Sequence, residues 1–185
     1  GLYESLNIGQ GSDDDAQAIR DNRARIRDAM GAEKLLSCFQ VHSAKTVTVT
    51  APWRTRPQAD GMVTQVPGLA LCVLSADCVP ILFADAEARV IGAAHSGWKG
   101  ALAGICEATL DAMAALGADR DNIACAIGPC IAQASYEVDS AFRMRFVEAD
   151  VANDRFFGAG KPGHFQFDIE GYVAARLKAA GVSNF

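Results

Sequence analysis

The strongest constraint in this sequence is a set of three short apolar segments close together in the middle of the chain. They cover residues 69–75, 79–84 and 89–94, and short connections containing Asp77 and Asp85 separate them. Apolar runs of this length, bounded by turn-forming residues, are typical of buried β-strands. The pattern predicts three neighbouring strands at the centre of one sheet.

Helical periodicity frames these predicted strands on both sides. Apolar residues recur at helical spacing over 16–30, after Ser12 as a possible N-cap, and again over 99–116, which Gly117 closes. Further helices are predicted over 140–147 and 169–180, a half-exposed strand over 45–50, a strand over 122–127 and a loop over 158–164. This order predicts an α/β fold with a mixed β-sheet core flanked by helices.

Composition excludes several classes of function. Half of the 185 residues are hydrophobic, and 17 Lys and Arg against 22 Asp and Glu give a net charge of −5. An acidic balance repels a phosphodiester backbone, so nucleic acid is not expected as a partner. No apolar run is long enough for a membrane helix, and the six cysteines contain no C-x-x-C pair. We expect a cytoplasmic protein with free thiols and no membrane partner, as a monomer or homodimer.

Two of the three histidines and one cysteine stand out by position. His95 ends the third apolar run and precedes a Gly-rich segment, and Cys78 follows the first run beside Asp77. Ligands of α/β sheets bind at strand ends, which makes both residues candidates. His42 follows an apolar stretch, and a strand-end histidine bonded to the backbone is the ordinary interpretation of such a residue.

Taken together, these three side chains offer two imidazoles and one thiolate. Such a set suits Zn²⁺ and leaves a fourth tetrahedral position open, as in catalytic zinc sites. The separations (78 − 42 = 36 and 95 − 78 = 17) match no zinc-finger pattern, so the residues alone leave the metal open. The cysteines in apolar runs are predicted to be core residues: Cys38, Cys72, Cys106 and Cys125.

An anion site is a second hypothesis at the start of the helix predicted from residue 99. Gly97 leaves backbone N–H groups free there, and Lys99 adds a positive charge. Arg23 on the first helix offers a bidentate fork for phosphate, although the sequence alone favours a solvated helix face shared with Arg20, Arg25 and Arg27.

Several motifs in order resemble the YfiH family, also called the multicopper polyphenol oxidase or laccase-domain family. The resemblance is carried by Asn22-Arg23, Gln40-Val41-His42, Ala76-Asp77-Cys78-Val79-Pro80, His95-Ser96-Gly97-Trp98-Lys99-Gly100, Gly128-Pro129-Cys130 and Tyr136-Glu137-Val138. Ser96 and Lys99 depart from the family pattern, which has Ala and Arg there. Lysine replaces the bidentate grip of that arginine by a point charge.

The resemblance implies a fold, a metal and an activity. The fold is an α/β sandwich shared with a bacterial toxin deamidase, and residues 1–185 are expected to be one YfiH-like catalytic domain lacking residues at both ends. The metal is zinc, with copper less favoured, and the activity is phosphorolysis of purine nucleosides with adenosine deamination as a companion. The site then comprises the metal ligands His42, Cys78 and His95, the catalytic residues Cys78, His95 and Asp77, and the substrate-binding residues Arg23, Gln40, Gly97 and Lys99.

Three alternatives remain open at the level of sequence. A copper laccase needs a multi-copper cluster as well as a Cys/His₂ site, and three histidines cannot supply both. A metal-free hydrolase or deamidase would use Cys78 as nucleophile and His95 as base. A non-catalytic interaction domain would have no reaction with nucleosides. For the phosphorylase, Asp77 and Glu137 are both candidates for the proton-transfer group.

Overall fold

The computed structural model describes residue 3, residues 5–182 and residue 184. Within these residues, five α-helices and ten strands follow one another as α1 (Ala16–Ala29), β1 (Lys34–Leu36), β2 (Thr46–Thr48), β3 (Gly61–Thr64), β4 (Leu69–Leu71), β5 (Val79–Asp85), β6 (Val90–Ser96), α2 (Trp98–Ala103), α3 (Ile105–Ala114), β7 (Ala124–Ile127), β8 (Glu137–Asp139), α4 (Ser140–Ala149), β9 (Phe157–Ala159), β10 (His164–Phe167) and α5 (Ile169–Ala179). The mixed α and β architecture agrees with the predicted fold class.

A five-stranded sheet in the order β2-β3-β6-β5-β7 forms the centre of the fold. Its pairs are antiparallel except for β2 and β3, which are parallel. Alternation along β5 defines the two faces, because Val79, Ile81 and Phe83 are buried while Leu82 and Ala84 are exposed. The buried face packs against α3 and α5 to form the larger hydrophobic core.

The second face of the sheet is covered only in part. A smaller cluster joins Met62 and Ala93 of the central sheet to Leu36 and Leu71. The latter two belong to a separate parallel pair, β1 and β4. The prediction that 69–75 lies at the centre of the main sheet is therefore wrong, because β4 pairs with β1 and only the other two apolar runs are neighbours there.

The long helix predicted over 99–116 is divided at Gly104. Gly104 has φ of +95° and separates α2 from α3, so the apolar stripe continues across a break in the helix axis. Arg176 of α5 donates to the carbonyls of Ala101 and Leu102 at the end of α2, and so ties this helix end to α5. Apolar periodicity alone does not reveal such a break, because residues on both sides face the same core.

Two smaller predictions also need correction. Asp15 rather than Ser12 caps α1, where its carboxylate accepts from the N–H groups of Gln17 and Ala18. The loop predicted over 158–164 is limited to residues 160–163, which connect β9 and β10 in a hairpin. Among the described residues, no helix has both the length and the apolar character needed to cross a membrane.

The break at Gly104 predicts a measurable cost for any side chain there. Gly104→Ala should lower the free energy of unfolding by about 1–2 kcal/mol, because L-residues resist the left-handed region. Denaturant unfolding checks this, with Gly11→Ala as control, since a Cβ at Gly11 meets nothing within 4 Å. Equal stability of the two variants would show that the break does not depend on glycine.

Candidate metal centre

Strand register brings the predicted site residues to one end of the central sheet. In the antiparallel pair of β5 and β6, Pro80 lies opposite His95, so Cys78 reaches the level of Gly97. In the pair of β3 and β6, Gly61 lies opposite Ala94, and the N–H of His95 donates to the carbonyl of Asp60 at 2.8 Å. The amino ends of β3 and β5 thus meet the carboxyl end of β6.

His42, Cys78 and His95 converge at this end of the sheet. Their possible ligand atoms all lie within 4.8 Å of one another, and Cys78 Sγ is 3.8 Å from His42 Nε2. The two imidazole centroids are 5.0 Å apart, with the ring planes inclined at 78°. His95 is buried, Cys78 is half-buried and His42 is exposed, so the group opens to solvent beside His42.

The location of Cys78 differs from the sequence-based argument. Cys78 was expected just after a strand, but it directly precedes β5. The argument from carboxyl ends applies to parallel sheets, whereas β5 and β6 run antiparallel. The antiparallel pairing nevertheless places the start of β5 beside the end of β6.

Asp60 is a residue of this site that sequence analysis missed. It is 1% exposed and directly precedes β3. Its Oδ1 lies 3.0 Å from His95 Nδ1 and accepts from the His42 N–H at 3.0 Å. Its Oδ2 accepts from the N–H groups of Val41 and Ser43 and from the Ser43 hydroxyl. The sequence shows only an acid beside a short apolar strand, a pattern that also fits an ordinary turn.

The pKa values of Asp60 and His95 are shifted in opposite directions, and the hydrogen bond between the two side chains contributes to both shifts. Burial tends to raise the pKa of Asp60, but hydrogen bonds from His95, Ser43 and Val41 outweigh burial and lower the pKa to about 2. Burial tends to lower the pKa of His95, but hydrogen bonds to Asp60 and Cys78 raise the pKa to about 9. The hydrogen bond between the two side chains contributes to both shifts, because it stabilises a protonated imidazole next to an ionised carboxylate.

The residues present fit a tetrahedral metal ion. Zinc–sulfur and zinc–nitrogen bonds of ordinary length predict about 3.6 Å between a thiolate and an imidazole ligand, and the Cys78–His42 separation is 3.8 Å. The contact between His95 Nδ1 and Asp60 leaves His95 Nε2 for the ion, and carboxylates commonly support ligating histidines in this way. Among the described residues this is the one group of three His, Cys, Asp or Glu side chains suited to an ion.

Gly97 lies against two of the candidate ligands. A Cβ built on Gly97 would be 2.6 Å from His42 Cδ2 and 3.0 Å from Cys78 Sγ. Gly97 has an ordinary extended backbone, with φ of −72° and ψ of 164°. Glycine is therefore needed at this position for space and not for backbone conformation, because a side chain would collide with His42 and Cys78.

The other predicted substrate-binding residues are less directly placed. The Gln40 side chain exchanges two hydrogen bonds with the backbone of Leu74, so it holds the segment that leads to Cys78. Arg23 donates to the carbonyls of Ile8 and Leu35 and to the Ser37 hydroxyl, and none of these contacts involves the His/Cys group. Burial lowers the pKa of Arg23.

Two cations flank Trp98 next to this group. Lys99 Nζ lies 5.5 Å and Arg145 Cζ 5.4 Å from centroids of the indole. Sequence analysis missed Arg145, because it belongs to α4, far along the chain. The helix-start argument for an anion site is weakened, since α2 has only six residues.

The remaining cysteines differ from Cys78 in their surroundings. Burial raises the pKa of Cys38 to about 11 and those of Cys106 and Cys125 to about 12. These thiols stay protonated in the core, as predicted, whereas Cys72 is only partly buried. All six cysteines are free.

Comparison with known proteins identifies the family. A family model described as multi-copper polyphenol oxidoreductase laccase matches residues 1–185. The chain belongs to this family. It is 38% identical over 167 residues to a protein of Rickettsia conorii named purine nucleoside phosphorylase, covering 90% of this chain and 69% of that protein.

Two further comparisons support the assignment. A Streptomyces coelicolor protein, also named purine nucleoside phosphorylase, is 39% identical over 184 residues, covering 97% of this chain and 75% of that protein. The crystal structure of the Bacillus licheniformis hypothetical protein YfiH superposes with a TM-score of 0.86 at 28% identity. That match covers 97% of this chain and 72% of the solved one. The resemblance to the YfiH family is confirmed.

The close approach at Gly97 predicts a specific loss in the metal centre. Gly97→Ala should weaken zinc binding by at least about tenfold, because the new methyl group displaces His42 or Cys78 from the ligand positions. Competition with a chromophoric chelator measures the affinity, and Gly11→Ala is the control. Wild-type zinc affinity in Gly97→Ala would contradict the predicted steric conflict.

Proposed function

We propose that this protein is a zinc-dependent purine nucleoside phosphorylase. Its reaction converts adenosine, inosine or guanosine and phosphate into the free base and ribose 1-phosphate. The main support is the convergence of His42, Cys78 and His95 in a chain whose relatives carry that name. We further propose that residues 1–185 act as one catalytic domain.

Zinc is favoured over copper by the ligand chemistry of the site. Two imidazoles and one thiolate match the borderline-soft character of Zn²⁺ and leave one position open. Bound there, zinc supplies a Lewis acid for a substrate oxygen or a bound water of lowered pKa, and the second role would also serve adenosine deamination. In this proposal His42, Cys78 and His95 hold the ion, and Gly97 keeps the space between them clear.

The phosphate is assigned to the cations beside Trp98. Phosphorolysis forms a bond from a phosphate oxygen to C1′ of the ribose and breaks the C1′–N9 bond, whose electron pair leaves with the base. Lys99 and Arg145 supply positive charge for the phosphate near Gly97. Arg23 is proposed as a further substrate-binding cation on α1, although its hydrogen bonds in the structure go to the carbonyls of Ile8 and Leu35 and to the Ser37 hydroxyl.

Proton transfer to the departing purine is assigned to Asp77. Asp77 is exposed and adjoins Cys78, and its carbonyl accepts from the Ile131 N–H, which fixes the backbone there. Glu137, the other candidate, is paired with Lys161 at 3.1 Å. Gln40 orients the segment that leads to Asp77 and Cys78, because its side chain donates a hydrogen bond to the Leu74 carbonyl.

A copper-dependent polyphenol oxidase is the second hypothesis, and the description of the matching family favours it. A His₂Cys site for one copper is available, but a laccase also needs a separate multi-copper cluster. The described part of the chain offers one group of possible ligands, and the protein has three histidines in all. Several copper atoms per chain, with oxygen consumed on a polyphenol, would support this alternative against ours.

The phosphorylase proposal predicts the outcome of a coupled assay with metal analysis. Wild-type protein with inosine, adenosine or guanosine should release ribose 1-phosphate only when phosphate is present. Cys78→Ala should lose bound zinc and lower kcat/KM by at least about a hundredfold, since one of three ligands is removed. Ammonia release from adenosine, measured in parallel, reports deamination separately.

Cys72→Ala is the matched control, because Cys72 is a partly buried cysteine outside the metal centre. It should keep both zinc and activity. Full activity in zinc-free Cys78→Ala would contradict the proposal. Rapid alkylation of Cys78 that zinc does not slow would instead favour the metal-free hydrolase.

A further inference from the structure

We infer that Asp60 is the positioning residue of the metal centre, and that one carboxylate sets the side chains of both histidine ligands. This inference rests on the proposed metal site. It concerns a residue that contacts neither substrate nor ion and acts through His42 and His95. Three observations support it: a ring contact, a backbone contact and the absence of solvent around the carboxylate.

The ring contact fixes the tautomer of His95. Asp60 Oδ1 lies 3.0 Å from His95 Nδ1, and an ionised carboxylate can only accept a hydrogen bond. The ring must therefore carry a proton on Nδ1, and Nε2 is the nitrogen that can bind a metal ion once it has lost its own proton. His95 is 3% exposed, so water does not compete for Nδ1.

The backbone contact holds His42 in a conformation that it would otherwise avoid. His42 has φ of +59°, a left-handed value that costs a non-glycine residue about 1–2 kcal/mol. Three consecutive N–H groups, those of Val41, His42 and Ser43, converge on the Asp60 carboxylate at 3.2, 3.0 and 2.7 Å. Successive N–H groups of this kind form a concave anion-binding nest. The anion here belongs to the protein, and it offsets the strain at His42.

The two contacts are coupled because they share one buried group. Oδ1 serves both His95 and the N–H of His42, while Oδ2 serves Val41 and Ser43. An amide has one accepting oxygen, and its NH₂ group would face an N–H donor on one side or the other. Asparagine is therefore predicted to release either the His95 ring or the segment that carries His42.

The test is the zinc affinity of purified Asp60→Asn, measured by competition with a chromophoric chelator. We expect an affinity about 10–100-fold weaker than wild type. The cobalt(II)-loaded variant should show altered d–d bands, because the ligand geometry changes. Ser43→Ala removes one O–H donor and keeps all three N–H groups, so its loss should be smaller.

Gly104→Ala is the control that distinguishes a general loss of stability in Asp60→Asn from a loss of ligand positioning. That variant is predicted to be destabilised at the junction of α2 and α3, where the new Cβ would meet Glu107 and Arg176 and none of the ligands, so it should keep wild-type zinc affinity. Equal zinc affinity of Asp60→Asn and wild type would overturn the inference while leaving the proposed function intact. No zinc binding by the wild type would instead contradict the proposed metal site itself.

A measurement on the wild type applies even where Asp60→Asn does not fold. In zinc-loaded protein labelled with ¹⁵N-histidine, the His95 resonances should show a protonated Nδ1 and a metal-bound Nε2. A proton on Nε2 would overturn the inference.

Discussion

The buried carboxylate of Asp60 is the interaction on which the rest of the site depends. Five donors reach it, and they come from the end of β6 and from the segment before β2. A carboxylate removed from water is costly unless it is fully hydrogen-bonded, so these partners are held together by the cost of separating them. The hydrogen bonds that this buried carboxylate needs therefore also bring together the two histidines of the candidate metal centre.

The register of the central sheet is the second constraint on the positions of the site residues. The pairing of β6 with β3 and β5 brings Asp60 and Cys78 to the level of His95 and Gly97. A slip of one residue would turn His95 toward the opposite face, where the helices pack. Val79, Ile81 and Phe83 of β5 and Val90 and Ala94 of β6 hold this register, because they pack in the core between the sheet and α3. Packing far from the ligands thus fixes their positions.

The two sides of the candidate metal centre differ in their exposure to solvent. His42 is exposed and His95 is buried, so one side of the ion site faces water and the other is anchored. Lys99 and Arg145 place positive charge around Trp98, which follows Gly97 in the chain, and Asp77 lies beside Cys78. The protein belongs to a family named for laccase chemistry, while the relatives described above are named purine nucleoside phosphorylases.

The sequence by itself determined the apolar strands β5 and β6, the positions of most helices and the donor set of two imidazoles and a thiolate. These are local or compositional properties, and apolar periodicity reports them. Only the tertiary structure decided the break at Gly104, the pairing of β4 with β1, the contact of Asp60 with His95 and the contact of Arg145 with Trp98. Each of these depends on which segments meet in space. The pattern of residues along one chain does not show which distant segments come into contact.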